Sequence, residues 1–150
     1  MAADELLQRA IERFWDTVPP VWGRVRGNAR ANAITDYSLT LVQFHILRHI
    51  RKGAHTVSEL AERQQISRPA ISHAVDQLVE KDLVTRQDDP HDRRYVQLNL
   101  TENGSQLLSS VFGKNRQWMA AKMAGLSPEE LEILIRALSI LKDTFDTVED

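Results

Sequence analysis

Cysteine is absent from the 150 residues. Its absence excludes disulfides, thiolate nucleophiles, thiol redox sensing and cysteine-ligated metal centres together. Glycine is scarce, and no glycine-rich phosphate loop occurs. An HExxH zinc-hydrolase motif and a nucleophile elbow are missing as well. Ser72, His73 and Asp76 fall within one short stretch of a single expected helix, so they cannot assemble a catalytic triad. Nothing approaches twenty consecutive apolar residues, so no membrane span is expected. The opening MAADELLQRA lacks the basic start and apolar block of a secretory signal. These absences lead us to expect a cytoplasmic, non-enzymatic chain with no cofactor and no metal.

Excess positive charge is also lacking. The formal net charge is −2, which taken alone argues against a nucleic-acid partner, because phosphate neutralisation needs cations. The distribution changes the argument. Residues 22–55 carry Arg24, Arg26, Arg30, Arg48, Arg51 and Lys52 against one acid, Asp36. Residues 96–150 carry five bases against eight acids. A basic face is therefore compatible with an acidic total. With 42% hydrophobic residues, the chain has material for one domain with a real core rather than two.

What is present is mostly helical patterning. Leu7, Ile11, Phe14, Val18, Val21 and Val25 recur at steps of three and four, predicting a helix over about 4–28. Pro19 and Pro20 predict a kink or break within it. Leu41, Phe44, Leu47 and Ile50 predict a second helix over 39–51, stopped by Gly53. Thr56 with Glu59 forms a capping box for a short helix ending near 64, with Ser58 as the alternative cap. Ser67 and Pro69 open a helix to about Lys81. Residues 83–86 and 94–100 alternate as two strands around the polar turn QDDPHDR. Thr101 caps a long helix to about 123. Ser127, Pro128 and Glu130 open the last one, with Leu126 and Leu131 placed as a hydrophobic staple. Leu131, Leu134, Leu138, Leu141, Phe145 and Val148 repeat like a heptad seam. The fold class is mainly α with a small antiparallel hairpin. The terminal helices, 1–35 and 101–150, are expected to find a second copy, leaving 36–100 as the core.

VSELAERQQISRPAISHAVD, residues 57–76, fits a helix-turn-helix. Leu60, Ala61, Ile71 and Ala74 face inward and Ile66 plugs the turn. The outward face of the second helix holds Pro69, Ser72, His73, Asp76, Gln77 and Glu80. N-terminal residues of such a helix reach base edges in a major groove about 12 Å wide. The candidate readers are therefore Ser67, Arg68, Pro69, Ala70, Ser72, His73 and Gln77. Asp76 and Glu80 would be repelled by phosphate unless a neighbour neutralises each. The hairpin carries Arg93 and Arg94, suited to a narrow minor groove, and Asp92 to orient them.

From SLTLVQFHILRHI through the helix-turn-helix to DPHDRR and LNLTENG, roughly residues 38–108, the chain resembles the multiple-antibiotic-resistance regulator (MarR) family. Asp92 and Arg94 match that family's Asp-x-Arg wing, and Thr101 and Gly104 match the start of its next helix. The resemblance implies a winged helix-turn-helix homodimer that binds a pseudo-palindromic operator in double-stranded DNA, usually as a repressor. It implies that small aromatic or phenolic effectors act between the dimer helices and the core. It also implies that Arg94 probes the minor groove and that Ser67 to His73 meet the major groove. His73 stands where the family often has arginine. Gln65 stands where glycine is common, at a cost of roughly 1 kcal/mol if its conformation is left-handed. The alternative function is a winged-helix module for protein contacts.

Three further groups admit two readings. His45 and His49 are four apart, with His55 following, but two histidines do not close a tetrahedral metal site. Ordinary packed or solvated histidines are the first reading. Trp15, Trp22 and Trp118 read first as packing residues. The second reading gathers Trp15, Trp22, Arg26, His45, His49 and Trp118 around an effector pocket. Arg24, Arg26 and Arg30 read as a solvated helix end, or as a phosphate or carboxylate site.

Overall fold

The computed structural model describes residues 2–89, 91–92 and 95–146. Pro90, Arg93, Arg94 and Val148, all named above, lie outside the described residues. The elements run α1 (Ala2–Tyr37), α2 (Leu41–Arg51), α3 (Val57–Gln64), α4 (Arg68–Glu80), β1 (Val84–Asp88), β2 (Val96–Leu100), α5 (Glu102–Met123) and α6 (Pro128–Phe145). Residues 1–116 form one compact unit and 117–150 a second, with the boundary inside α5.

The first helix differs most from expectation. Pro19 and Pro20 do not break it, and it continues past Gly27 to Tyr37, 36 residues in all. Each proline removes only its own N–H and disturbs the turn before it. The segment beyond them is anchored independently, because Ala29 and Ala33 are buried in the core. Asn28 Nδ2 donates to Asn115 Oδ1 at 2.8 Å, and Lys114 Nζ reaches Asp36 Oδ2 at 2.7 Å. Both contacts tie α1 to α5 within the first unit.

Helix starts follow local chemistry. At α2, Thr40 Oγ1 accepts from the Gln43 N–H at 3.2 Å, and Gln43 Oε1 accepts from the Thr40 N–H at 3.0 Å. That reciprocal box starts α2 at Leu41 rather than at residue 39. Of the two caps considered for α3, Thr56 is the one used, and Glu59 closes the box on the Thr56 N–H at 3.0 Å. The His55 N–H also donates to Glu59, and these backbone donors hold its carboxyl below the usual range. Ser127 and Glu130 cap α6 in the same way.

The core of the first unit joins Phe44, Leu47 and Ile50 of α2, Leu60 of α3, and Ile71, Val75 and Leu78 of α4. Leu98 of β2 with Leu108 and Val111 of α5 completes it. The strands pair antiparallel, with Val84 opposite Leu100, Arg86 opposite Leu98 and Asp88 opposite Val96. Strand β1 lies one to two residues later than alternation suggested. The Leu98 N–H donates to His55 O at 2.7 Å, fastening the hairpin to the loop before α3.

Much apolar surface stays uncovered. On α1, Leu6, Leu7, Trp15 and Trp22 are each more than half exposed. In the second unit α6 has no buried residue, and Ile133, Ile135, Leu138 and Phe145 are likewise more than half exposed. Single soluble domains rarely leave contiguous apolar patches this large in water.

Candidate functional site

The turn between α3 and α4 depends on one residue in a costly conformation. Gln65 has φ 55° and ψ 40°, in the left-handed region, and its side-chain Nε2 donates to Glu62 O at 2.8 Å. The Ile66 N–H then bonds Ala61 O, and Ile66 packs against the core. The chain can now re-enter a helix at a steep angle. Ser67 Oγ accepts the Ala70 N–H at 3.4 Å, and Pro69 occupies the first turn, where its missing N–H costs nothing.

Ile71, Ala74, Val75 and Leu78 lock one face of α4 inward. Ser67, Arg68, Pro69, Ala70 and His73 are exposed, while Ser72 and Gln77 are half-buried. The seven sequence-predicted readers thus lie along one helix and its cap. Its N-terminus brings unsatisfied N–H groups to the same surface, a favourable setting for phosphate.

The outward carboxylate Asp76 has a counter-charge. Arg86 of β1 places Nη2 2.8 Å from Asp76 Oδ1, and the same nitrogen donates to Ser72 O at 3.3 Å. The need for such a neighbour was legible in the sequence; its identity was not, because it comes from the next element. Asp89 was also missed. Its carboxylate accepts from the His91 N–H at 2.8 Å and from Gln97 Nε2 at 3.1 Å, shaping the hairpin turn. Asp92 accepts the Tyr95 N–H through its backbone carbonyl at 2.9 Å.

A second feature lies between α1, α2 and α3 in the same unit. A cavity of about 520 Å³ is lined by Trp22 and Arg26 of α1, His45, Arg48 and His49 of α2 with Lys52 capping its end, and Arg63 and Gln64 of α3, among others. Among the described residues no aspartate or glutamate lines it. Arg26 Nε, His45 Nε2, His49 Nδ1 and both amide atoms of Gln64 are buried without a hydrogen-bond partner among the described residues. Burial pushes His45 below its ordinary value, reinforced by Arg30 and Arg48. His49 is lowered by burial and then by Arg63, Arg48 and Lys52. Arg48 is lowered too, by burial and then by Arg26 and Arg30. Such surroundings repel a metal cation and attract an anion. The cavity gathers Trp22, Arg26, His45 and His49 from the expected pocket. Trp15 is not among its lining residues and meets Phe14 edge-to-face at 5.9 Å. Trp118 belongs to the second unit, where Lys122 stands 6.0 Å from its ring.

Comparison with known proteins matches this arrangement. A family model described as "MarR family" matches residues 37–94, from the end of α1 to the hairpin turn. The HTH-type transcriptional regulator YpoP of Bacillus subtilis is 32% identical over 111 residues, covering 73% of this chain and 79% of YpoP. This chain belongs to the MarR family. The HTH-type transcriptional repressor MdtR of Bacillus subtilis is also 32% identical, over 94 residues that make up 62% of this chain. That match spans about three fifths of MdtR, 61% of its length. Transcriptional regulator Tm0710 from Thermotoga maritima has the same fold, with a TM-score of 0.84 at 22% identity over 90% of this chain and 95% of its own. A Staphylococcus aureus MepR variant bound to an oligodeoxyribonucleotide superposes with a TM-score of 0.66 at 20% identity, covering 89% of this chain and 98% of its own. The helix-turn-helix and hairpin of this MarR-family chain are therefore a winged helix. Among the described residues no helix is long and apolar enough to cross a membrane.

Proposed function

We propose that this MarR-family chain is a homodimeric, sequence-specific double-stranded-DNA-binding regulator of transcription, acting as a repressor that responds to a small anionic effector. One observation carries the DNA reading. The N-terminal half of α4 is uncovered beside the wing, and of the two carboxylates that phosphate would repel, Asp76 and Glu80, the one among the readers, Asp76, is neutralised by Arg86, while Glu80 lies at the far end of the helix. In this reading Ser67 to His73 enter the major groove, and Arg93 and Arg94, with Asp92, reach the minor groove. The DNA-bound MepR structure and the repressor name of MdtR support the same reading. The uncovered apolar faces of α1 and α6 support the homodimer, with 1–35 and 101–150 as its joining segments.

Random-oligonucleotide selection with the purified protein tests this directly. An inverted repeat with half-sites about one helical turn apart, roughly 34 Å, is the expected product. Unenriched pools would overturn the DNA reading, and a single unrepeated site would overturn the dimer.

The effector reading rests on the cavity. An anion there would satisfy the orphaned donors and favour the protonated forms of His45 and His49. Without ligand the folded protein holds protons on these histidines less readily than the unfolded chain does. The unfolded state then binds more protons below the ordinary value of 6.5, so stability falls as pH drops through that region. Benzoate is therefore expected to raise the melting temperature more at about pH 5.5 than at about pH 7.5, on either side of the ordinary histidine value. In the double variant His45→Gln, His49→Gln that pH difference disappears. Equal stabilisation at both pH values in the unmodified protein would remove the histidines from the site.

A further inference from the structure

One chain of hydrogen bonds crosses from the start of α2 to the exposed face of α4, and its direction is determined at one end. The Thr40 main-chain N–H can only donate, so the Gln43 atom 3.0 Å from it must be the amide oxygen. The other end of the Gln43 amide is then its NH2, which donates to Gln77 Oε1 at 2.8 Å. That leaves the Gln77 NH2 facing His73 Nε2 at 3.3 Å. A nitrogen receiving that donor cannot carry a proton itself. In the neutral ring the proton must then sit on Nδ1.

We infer that Gln43 and Gln77 are positioning residues that fix the tautomer of His73, so that His73 offers DNA a hydrogen-bond donor, Nδ1–H. The inference rests on the reading that α4 meets DNA. Gln43 is buried at 3% exposure, so it acts on His73 only through Gln77. With Gln77 Oε1 accepting from Gln43 and one Gln77 N–H directed at His73, the Gln77 amide orients His73. Among the described residues nothing else bonds the His73 ring. An Nδ1–H donor selects acceptor edges, such as guanine N7 and O6 or adenine N7, and disfavours the cytosine N4 amine. The same box that starts α2 thereby sets the polarity of a base contact on another helix.

Imidazole nitrogen NMR on the DNA-free protein tests the relay, and oligonucleotide selection tests its consequence. The wild type is expected to hold neutral His73 as Nδ1–H, although a free histidine side chain prefers Nε2–H. Gln43→Met releases the Gln77 amide, and the tautomer ratio is expected to shift about fivefold toward the free side chain. Base preference at one position of each half-site should relax by a similar factor, with non-specific affinity unchanged. Gln77→Glu supplies a second test on a half-buried position that the core does not need. A carboxylate accepts from both neighbours, so His73 Nε2 must become the donor. In the neutral ring Nδ1 then turns into an acceptor, and preference should move toward adenine N6 or cytosine N4 edges. A wild-type Nε2–H ring, or an unchanged tautomer in both variants, would overturn the relay. Tautomers that shift as expected while base preference stays fixed would overturn the link to recognition. Enrichment of no sequence by the wild type would overturn the parent DNA reading instead, whichever tautomer is seen.

Discussion

Gly104→Ala should lower the thermal midpoint by about 10 °C, an overpacking cost near 3 kcal/mol in a chain of this size. Gly104 lies in the first turn of α5, against the backbone of Leu83. An added Cβ would overlap the Leu83 carbonyl oxygen and stand 3.1 Å from the carbonyl carbon. That carbonyl has no freedom to retreat. It accepts the Thr101 N–H at 3.1 Å, while Thr101 Oγ1 donates to Asp82 O at 2.7 Å and accepts the Gly104 N–H at 2.9 Å. Asp82 is itself in a left-handed conformation, φ 55°, and its carboxylate accepts from Asn103 Nδ2. The junction joins the end of α4, the start of β1 and the start of α5, so relief of the clash would displace the wing. Gly113, farther along the same helix, supplies the control. Nothing stands within 4 Å of a Cβ built there. Gly113→Ala should therefore stabilise by about 1 kcal/mol, the ordinary helix preference for alanine. Scanning calorimetry on the two variants should give shifts of opposite sign. Equal shifts would show that the Leu83 contact does not constrain the junction.

Arg86→Met should weaken operator binding at least tenfold while moving the melting temperature little. The Arg86–Asp76 pair is open to water, with side-chain exposures of 37% and 52%. A pair that exposed contributes roughly 0.2–1 kcal/mol to folding. Its effect on binding is larger, because docking on DNA brings Asp76 toward phosphate at low dielectric. Without Arg86 that carboxylate meets like charge unscreened, and like-charge juxtaposition across an interface costs several kcal/mol. The double variant Arg86→Met, Asp76→Asn should recover most of the affinity, since the charge needing neutralisation is gone. Fluorescence anisotropy at two salt concentrations separates this from a direct phosphate contact by Arg86. A lost phosphate contact would reduce the salt slope by about one and would not be rescued by Asp76→Asn.

These two positions also show where sequence reading reaches and where it stops. Thr56 with Glu59, and Ser127 with Glu130, are visible as caps because the partners lie three residues apart. The inward set of α4 is visible for the same reason, since one helical period contains its own evidence. Gln43 shows both cases: its capping bond to Thr40 spans three residues like the others, but its bond to Gln77 crosses 34 residues and leaves no local trace. Arg86 likewise announces a strand position without naming Asp76 as its partner. The far end of α1 was missed because ARANAITDY has alanines, not large apolar residues, at its buried positions 29 and 33. Close helix approach selects small side chains there, and small side chains leave a weak periodic trace. Gln65 shows the converse. Its left-handed geometry was read from position alone, as a helix-turn-helix requirement met by a residue that pays conformational strain for it. The cavity gathers from three helices, so its histidines and arginines were recognisable singly while the absence of carboxylates around them was not.

The length of α1 matters during synthesis. It precedes every segment that covers its inner end, and its contacts to Lys114 and Asn115 await residues 78 and 87 positions downstream. At about 5–20 residues per second, a nascent chain waits several seconds for that closure. Throughout that interval the helix has α2 to lean on at its inner end, while its contacts to α5 are still to come. The sparse flank around Ala29 and Ala33 offers little for stray molecules to grip, whereas the stretch from Leu6 to Trp22 offers much more. In the proposed dimer, that stretch would be the surface open to a second copy while the core is still incomplete.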